Sequence, residues 1–378
     1  MLYEFLTKYR NLIINFLYKH ALKPIFFKMD PENIHDRMIS SGSFFGRFSI
    51  IRKFFSIVFD YKNPILNQKV LGMDFINPIG LSAGFDKNAE LTELLPSIGF
   101  GFIEIGSVTA EYCAGNPKPR LWRMQLSESL IVYYGLKNDG AEKIAKRLEN
   151  KKHHIPLGIN IAMTNCQNNL DINNAIEDFK KAFDIMKSHA DYITINISCP
   201  NALGGQPFIK PENLENLLNI LDKVETDKPR FIKLSPDLQK EEIDIILNIL
   251  KNHKIQGIIC SNLTKNRDNK KIHQNENNIT DKGGISGKVV RDLSDDLLKY
   301  IYQREGKRFV LIGVGGIFEA KDVYKKIRNG ASLVQLITGM IFEGPSLISN
   351  LNQDLAYMLK KDGFKNIKEA IGIDANRD

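Results

Sequence analysis

Residues 192–201 read YITINISCPN, an apolar run that ends in a polar loop. The first four residues are aromatic or β-branched, which are the residue types that favour strands. Asn196, Cys199 and Asn201 follow where the strand would end. In parallel α/β folds, ligands bind at that end of the strands. The stretch therefore predicts a buried strand of an α/β fold whose end carries amides and one thiol.

Eight apolar runs of this kind occur along the chain, and they alternate with amphipathic stretches such as residues 174–188 and 240–251. This alternation is typical of βα units around a parallel sheet. Eight units predict a (β/α)8 TIM barrel, and a doubly wound open sheet is the alternative. KVLGMDFINPIG, at residues 69–80, predicts a hairpin across the bottom of the barrel. The predicted strands are residues 79–83, 102–107, 157–162, 192–198, 230–235, 257–262, 309–315 and 333–339.

The composition is that of an ordinary globular protein, with 378 residues of which 43% are hydrophobic and 25% charged. Because α/β barrels of about 250 residues form single domains, the length predicts one barrel over residues 64–378. Residues 1–63 would form a small N-terminal helical extension. The four cysteines contain no CxxC pair, which argues against a disulfide framework and against a zinc or other metal site.

The N-terminal extension is basic and apolar. Of the net charge of +8, residues 1–63 contribute +5, from ten basic and five acidic residues. Charged residues interrupt residues 1–22 too often for a membrane span or a signal peptide, and residues 44–59 combine six phenylalanines with three cations. These patterns predict helices that lie in a membrane interface, and helices that pack on the main domain are the alternative. The face shared at helical pitch consists of Leu2, Phe5, Leu6, Tyr9, Leu12, Ile13, Phe16 and Leu17.

Lysines, amides and glycines gather at the predicted strand ends, where a barrel carries its active site. Lys233 stands within the apolar run FIKL and predicts an anionic ligand, because a buried lysine is costly without a partner. The late strands add GGISG at residues 283–287, GVGG at residues 313–316 and a Thr-Gly pair at residues 338–339. Such glycines let backbone N–H groups approach a phosphate, so the pattern predicts a phosphate-bearing ligand.

Nine motifs resemble those of the dihydroorotate dehydrogenases, FMN-dependent barrels that oxidise dihydroorotate to orotate in pyrimidine synthesis. The resemblance covers roughly residues 25–374 and is specific, because the motifs occur in the family's order. They read LSAGFDKNAE, GFGFIEIGSVT, GNPKPRLWR, GINI, NISCPN, FIKLSPD, GGISG, LIGVGGI and GASLVQLITGMIFEGPSLI.

The resemblance implies a role for each matching position. Cys199 occupies the position of the base that removes a proton from C5 of dihydroorotate while hydride leaves C6 for the flavin. Lys233 would lie beside the N1–O2 edge of FMN and stabilise the charge that develops there. The implied substrate contacts are Lys87, Asn196, Asn201 and Asn262. The implied FMN contacts are Ala83, Gly84, Lys87, Ser107, Asn160, Asn196, Lys233, Ser261, Gly287, Gly316, Thr338 and Gly339.

Three departures from the family pattern concern the base and the substrate pocket. The N-terminal extension resembles that of the membrane-associated, quinone-dependent class, whose base is normally serine, whereas Cys199 is the base type of the soluble class. Val132 and Leu263 stand where the family has an asparagine and a threonine, and each substrate atom left unpaired would cost about 1–3 kcal/mol. Met163 and Thr164 replace a family Gly-Lys pair, so this loop is expected to line an altered pocket.

The leading hypothesis is an FMN enzyme that oxidises dihydroorotate and passes electrons to a membrane quinone entering between the N-terminal helices. It would be a peripheral membrane protein on the cytoplasmic face of the inner membrane. The alternatives are an FMN barrel acting on another cyclic amide or enone, a dihydrouridine synthase, and a flavin-binding relative without turnover. No nucleic-acid partner is expected, because the cations cluster in Phe-rich helices. The seven histidines lie outside the strand-end motifs and are expected at the surface.

Overall fold

The structure, a computed structural model, describes residues 2–277 and 279–375. The strands in this part of the chain are β1 Gln68–Val70, β2 Met73–Phe75, β3 Ile79–Leu81, β4 Phe102–Val108, β5 Leu121–Met124, β6 Ser129–Val132, β7 Leu157–Ile161, β8 Tyr192–Asn196, β9 Arg230–Leu234, β10 Gly257–Cys260, β11 Gly284–Ile285, β12 Val310–Val314 and β13 Leu333–Leu336. The α-helices are α1 Leu2–Leu17, α2 Lys23–Lys28, α3 Pro31–Gly46, α4 Ser49–Phe59, α5 Ala141–Leu148, α6 Ile172–Met186, α7 Pro211–Leu221, α8 Lys240–Leu250, α9 Arg291–Glu305, α10 Ala320–Arg328, α11 Thr338–Glu343 and α12 Leu347–Lys361.

Eight strands form a closed parallel barrel in the order β3-β4-β7-β8-β9-β10-β12-β13, and β13 pairs with β3 to complete the ring. The predicted TIM barrel is confirmed. Several strands end earlier than predicted because polar side chains take over the backbone hydrogen bonds. The strand predicted over residues 192–198 stops at Asn196, whose Oδ1 accepts hydrogen bonds from the backbone N–H (3.1 Å) and the hydroxyl (3.0 Å) of Ser198.

The interior of the barrel changes from apolar to polar along its axis. Alternate residues of each strand face inward, and those near the N-terminal ends are aromatic or aliphatic. Two residues further along, Glu104 follows Phe102 and Lys233 follows Phe231, and all four side chains are buried. The inward positions thus build an apolar base and a polar floor toward the C-terminal ends. The apolar base consists of Val70, Phe75, Phe102, Tyr192, Phe231, Ile259, Ile312 and Leu333.

β1 and β2 form an antiparallel hairpin at the N-terminal end of the barrel, which confirms the hairpin predicted over residues 69–80. Phe75 is 2% exposed and meets Phe102 edge-on, with 5.4 Å between the ring centroids. Val70 joins the same cluster. The hairpin therefore closes the bottom of the barrel with apolar side chains.

Two connections depart from simple strand–helix alternation. Between β3 and β4 the chain forms a 3-10 helix, Leu95–Ile98, and α4 packs against it. Three further strands pair as a small antiparallel sheet in the order β11-β6-β5. The sequence analysis did not predict this sheet, because its strands are only two to four residues long. The sheet contributes Leu121, Leu130 and Val132 to the cavity at the barrel mouth.

The N-terminal extension is helical from its first described residue, and a π-helical turn at Tyr18–Leu22 links α1 to α2 without a break. α3 begins at Pro31 beneath a side-chain cap, in which Asp30 Oδ1 accepts a hydrogen bond from the backbone N–H of Asn33 at 2.9 Å. α1 packs on α12, and α3 packs on β5. The extension thus covers one side of the barrel, and α3 reaches its mouth.

Candidate active site

A cavity opens at the C-terminal ends of the barrel strands, walled by the strand-end loops, the small sheet and α3. Every site residue predicted from the sequence except Asn160 lines it. Asn160 lies one step deeper, where its Oδ1 accepts the hydroxyl hydrogen of Ser107 at 2.5 Å, and its predicted contact with FMN stays a prediction. The residues that line the cavity are Ala83, Gly84, Lys87, Ser107, Asn196, Cys199, Asn201, Lys233, Ser261, Asn262, Gly287, Gly316, Thr338 and Gly339.

Cys199 follows β8 and faces both this cavity and a small adjoining one. Asn262 fixes the loop, because its Nδ2 donates to the carbonyl (2.9 Å) and the hydroxyl (3.0 Å) of Ser198. Cys199 is partly exposed at the cavity, and burial raises the pKa of its thiol to about 11. At neutral pH the group is therefore a thiol that must lose its proton before it can act as a base.

Lys233 stands on β9 with 4% of its surface exposed and its Nζ 3.4 Å from the Ser82 hydroxyl. Among the described residues, no carboxylate forms a salt bridge with it. Burial lowers the pKa of Lys233, and Glu104, deeper in the barrel, raises it. A buried ammonium with one long hydrogen bond has two N–H groups left to donate, so the position suits an anionic edge of a ligand.

Lys87, in the loop after β3, is held by two residues that the sequence analysis did not place in the site. Its Nζ lies 3.1 Å from His35 Nε2 and 4.1 Å from the ring centroid of Tyr134. Burial, and then the charges of Lys87 and Lys137, lower the pKa of His35 to about 2, so the imidazole is neutral and Nε2 can accept the ammonium hydrogen. Burial also lowers the pKa of Lys87 to about 8.

The expectation that the histidines lie at the surface is wrong for His35 and His253. α3 carries His35 into the wall of the cavity, although the residue is 52 positions before Lys87 in the chain. His253 is 9% exposed and its Nδ1 lies 2.7 Å from Asp222 Oδ2, away from the cavity. Helical periodicity could not predict the first placement, because it does not reveal which loops a helix contacts.

Three glycine-bearing segments meet on one side of the cavity: residues 286–287, residues 315–316 and the first two residues of α11, 338–339. The hydroxyls of Ser286 and Thr338 lie 2.8 Å apart and join two of these segments. Gly316 has φ of +70°, and a Cβ there would lie 2.3 Å from Cβ of Arg291, so only glycine permits this close approach. Backbone N–H groups and hydroxyls that converge in this way suit a phosphate group.

An apolar wall formed by Val132, Leu263 and Pro200 borders the cavity near the thiol. Val132 pairs with Gly284 in the small sheet, and a Cβ on Gly284 would meet Leu263 and Pro200. Asn201 completes this wall: its Nδ2 donates to the Val132 carbonyl at 2.9 Å, and its buried Oδ1 has no hydrogen-bond partner among the described residues. An unpaired acceptor at a cavity suits an N–H donor from a ligand.

The loop after β7 lines only the small adjoining cavity. Met163 contributes to that cavity behind Cys199, whereas Thr164 turns away and bonds Asp178 through its N–H (2.6 Å) and hydroxyl (2.7 Å). The expected altered pocket lining therefore holds for Met163 in the adjoining cavity and not for Thr164. Asn165 supports the site from outside through Asn116, whose Nδ2 donates to the carbonyl of Asn201 at 3.0 Å.

The apolar face of α1 points away from the barrel. Thr7 and Asn11 are buried, and Arg10 and Asn11 donate to the hydroxyl of Ser349 on α12 at 2.8 and 3.0 Å. The eight apolar residues predicted to share a face are each more than half exposed. Because an amphipathic helix normally buries its apolar side, α1 is docked the opposite way round. In the part of the chain that the structure describes, no helix has the length and hydropathy that crossing a bilayer requires.

The four cysteines are all free thiols. Within residues 2–277 and 279–375, no three His, Cys, Asp or Glu side chains are grouped closely enough to hold a metal ion. The polar side chains that line the cavity are lysines, amides, hydroxyls, the thiol of Cys199 and the imidazole of His35.

Known proteins resemble this chain over nearly its whole length. The sequence profile of the family described as Dihydroorotate dehydrogenase matches residues 65–359. The curated Dihydroorotate dehydrogenase (quinone) of Natronomonas pharaonis is 35% identical over 356 residues, which cover 93% of this chain and 98% of that protein. The protein of the same name from Nostoc punctiforme is 35% identical over 376 residues, covering 95% and 98%. The crystal structure of DHODH from Eimeria tenella in complex with ferulenol has a TM-score of 0.81 at 28% identity, and covers 92% of this chain and 96% of that one.

Proposed function

The chain belongs to the dihydroorotate dehydrogenase family, and from this premise we propose that it oxidises dihydroorotate to orotate in pyrimidine biosynthesis, with FMN as cofactor and a membrane quinone as electron acceptor. The observation that carries the proposal is the meeting of Cys199, Asn196, Asn201 and Lys233 at one cavity. That set supplies a proton acceptor, amides for a cyclic imide and a cation for an anionic ring edge.

FMN, when bound, supplies a ring that accepts a hydride and releases two electrons to a second substrate. Lys233 would donate to the edge of the ring that becomes negative, which its single hydrogen bond to Ser82 leaves it free to do. The segments at residues 286–287, 315–316 and 338–339 would hold the phosphate. Lys87, with His35 behind it, would contact both ligands.

Cys199 would act on the substrate as the general base. Its thiolate takes the proton from C5, the C5–H electron pair becomes the new C5–C6 double bond, and hydride leaves C6. Asn196 and Asn262 would orient the ring, and the unpaired Oδ1 of Asn201 would accept a hydrogen bond from a ring N–H. The apolar wall at Val132 and Leu263 offers the substrate no hydrogen bond, so these amides and Lys87 would hold it.

We propose that residues 1–63 form the segment that associates with the membrane and the quinone, and that residues 64–378 form the FMN-binding barrel. We place this segment at the cytoplasmic face of the inner membrane. The exposed apolar face of α1 and the exposed Ile50 and Ile57 of α4 support its association with a membrane. Leu121, Leu130 and Ile341 border the cavity and pack in one cluster with Phe27 of α2, which supports a quinone path from these helices.

The direct test is anaerobic titration of the purified flavin-bound protein with dihydroorotate. We expect the flavin absorbance to bleach, and the Cys199→Ala variant to bleach far more slowly with the same bound flavin. A wild-type protein that binds flavin but does not bleach would contradict the proposal.

A panel of other dihydropyrimidines and cyclic enones tests the substrate. The names of the curated relatives favour dihydroorotate over these rings. Faster bleaching by another member of the panel would favour the alternative substrate.

A further inference from the structure

Glu104 is a fully buried acidic side chain inside the barrel, below the floor of the cavity. It accepts four hydrogen bonds: one from Asn160 Nδ2 (2.9 Å) on Oε1, and three on Oε2, from the hydroxyls of Tyr192 (3.0 Å) and Thr194 (3.1 Å) and from Gln335 Nε2 (3.0 Å). All four donors are neutral. Among the described residues, no lysine or arginine forms an ion pair with Glu104.

Four donors on two oxygens satisfy a carboxylate and leave no need for a proton on it. Buried charges in proteins are normally paired, and an apolar side chain of similar volume is often at least as stable in such a position. Burial, and then the neighbouring Glu104, raise the pKa of Tyr192 well above its usual value, so the tyrosine remains a donor. The four donors need an acceptor at this place, and the negative charge of that acceptor needs a separate explanation.

The carboxylate fixes the direction of a chain of hydrogen bonds that rises to the cavity. Because Glu104 only accepts, Asn160 must turn its NH2 group down and its Oδ1 up. Ser107 then donates its hydroxyl hydrogen to that oxygen (2.5 Å), and its own oxygen accepts from Asn196 Nδ2 (3.0 Å). Asn196 uses its Oδ1 for Ser198. The second N–H of the Asn196 side-chain amide can therefore donate a hydrogen bond to a ligand in the cavity.

The charge also acts on Lys233, the buried cation of the cavity floor. The two groups share a water-poor barrel interior, where charges interact more strongly than in water. Glu104 raises the pKa of Lys233 and so opposes the lowering that burial causes. The same negative charge opposes any further negative charge that a ligand acquires beside Lys233.

We propose that Glu104 is a positioning residue of this active site, which lowers the reduction potential of the bound flavin through Lys233 and presents the Asn196 N–H to the substrate through Asn160 and Ser107. This inference rests on the proposed function, in which dihydroorotate gives up two electrons and the quinone receives them. Glu104 itself is neither oxidised nor reduced. A lowered potential favours the onward transfer of those electrons.

The test compares the purified flavin-bound wild type with Glu104→Gln and Tyr192→Phe. The midpoint potential of the flavin is measured at pH 8 by equilibration with reference dyes. We expect Glu104→Gln to raise the potential by about 30 mV or more, which is a tenfold change in the two-electron equilibrium constant. Tyr192→Phe removes a donor dipole that points at the carboxylate and leaves the charge, so we expect it to lower the potential.

Opposite shifts separate this role from a structural one, because a loosened pocket would move both variants in the same direction. Spectral titration with orotate is the second readout. Glu104→Gln can turn the chain of hydrogen bonds around and should weaken orotate binding about tenfold, whereas Tyr192→Phe should preserve it. Asp295→Asn, which alters a buried carboxylate paired with Lys326 outside the barrel, is the control and should change neither quantity.

If Glu104→Gln does not fold or loses its flavin, Tyr192→Phe decides: an unchanged or raised potential overturns the inference. Unchanged potential and orotate affinity in a folded Glu104→Gln also overturn it. The dye measurement does not use dihydroorotate, so a wild type that dihydroorotate fails to bleach contradicts the proposed function while the role of Glu104 is still measured.

Discussion

A thiol whose pKa is about 11 makes the proposed proton transfer strongly dependent on pH. Below that pKa, the thiolate fraction of Cys199 rises about tenfold for each pH unit. We expect the rate of flavin reduction by dihydroorotate to increase continuously from pH 7 to pH 10. Anaerobic stopped-flow absorbance measures this rate.

Cys166→Ala is the matched control, because Cys166 is a partly exposed thiol that does not line the cavity. Its pH profile should follow the wild type. A wild-type rate that is already constant above pH 8 would contradict the assignment of Cys199 as the base.

Because Val132 in the apolar wall offers the substrate no hydrogen bond, we expect a polar residue at this position to increase the affinity for dihydroorotate. Val132→Asn places an amide beside the cavity, where its side chain can donate to a substrate carbonyl. One added hydrogen bond is worth about 0.5–1.5 kcal/mol, so we expect KM for dihydroorotate to fall by about two- to tenfold. Steady-state kinetics measure it. Leu170→Asn, at an exposed position outside the cavity, is the control and should leave KM unchanged. An unchanged or higher KM for Val132→Asn would contradict the idea that the apolar wall limits the affinity for dihydroorotate.

Most of the cavity residues could be predicted because they follow apolar strands, where the sequence itself marks the position. His35 and Tyr134 could not, since one stands on an N-terminal helix and the other follows a four-residue strand of the small sheet. Glu104 did leave a signal. It is an acidic residue two positions after Phe102 and is flanked by Ile103 and Ile105, and the strand period of two places it on the same inward side as Phe102.

At the scale of elements, α1 and α4 present apolar surfaces that nothing among the described residues covers. Ile50 and Ile57 of α4 are 76% and 74% exposed. We expect the double variant Ile50→Glu, Ile57→Glu to float less with anionic liposomes than the wild type. Insertion of this surface would bury the two glutamate charges in the membrane, which costs free energy. Flotation in a density gradient measures the difference, and flavin bleaching should be unchanged.

Ile245→Glu provides the comparison, since Ile245 is a half-exposed apolar residue of α8, outside the N-terminal helices. It should float like the wild type. Equal flotation of all three proteins would contradict membrane binding by this surface.

The barrel strands were predictable even where they are short, because each lies within a longer apolar run of the sequence; β3, for example, has only three residues. β11 was not predictable, because it has two residues and pairs with β6 in the small sheet. The docking of α1 shows a second limit. Its periodicity predicted an apolar face correctly, but only the contacts of Asn11 and Arg10 with α12 reveal that this face points outward.

At the scale of the whole molecule, the apolar residues that pack the base of the barrel and the residues of the candidate active site lie at opposite ends of the barrel axis. Phe75 closes the apolar end, opposite to the cavity. We expect Phe75→Ala to lower the free energy of unfolding by about 3–5 kcal/mol, because it leaves a cavity in the packed base. The rate of flavin reduction should stay close to the wild-type rate. Urea unfolding followed by circular dichroism, together with stopped-flow reduction, measures both.

Ile76→Ala, at the next residue and 38% exposed, is the control and should change stability by less than about 0.5 kcal/mol. A Phe75→Ala variant that loses its reduction rate as well as its stability would contradict the separation of the two ends.

The docking of α1 has a consequence for the order of synthesis. Arg10 and Asn11 bond a serine that lies 339 and 338 residues further along the chain. The ribosome releases α1 well before α12, so the polar partner of α1 does not exist until the barrel strands between them have been synthesised. Throughout that interval the apolar face of α1 is free to meet lipid, and a nascent chain can reach the bilayer before its barrel has closed.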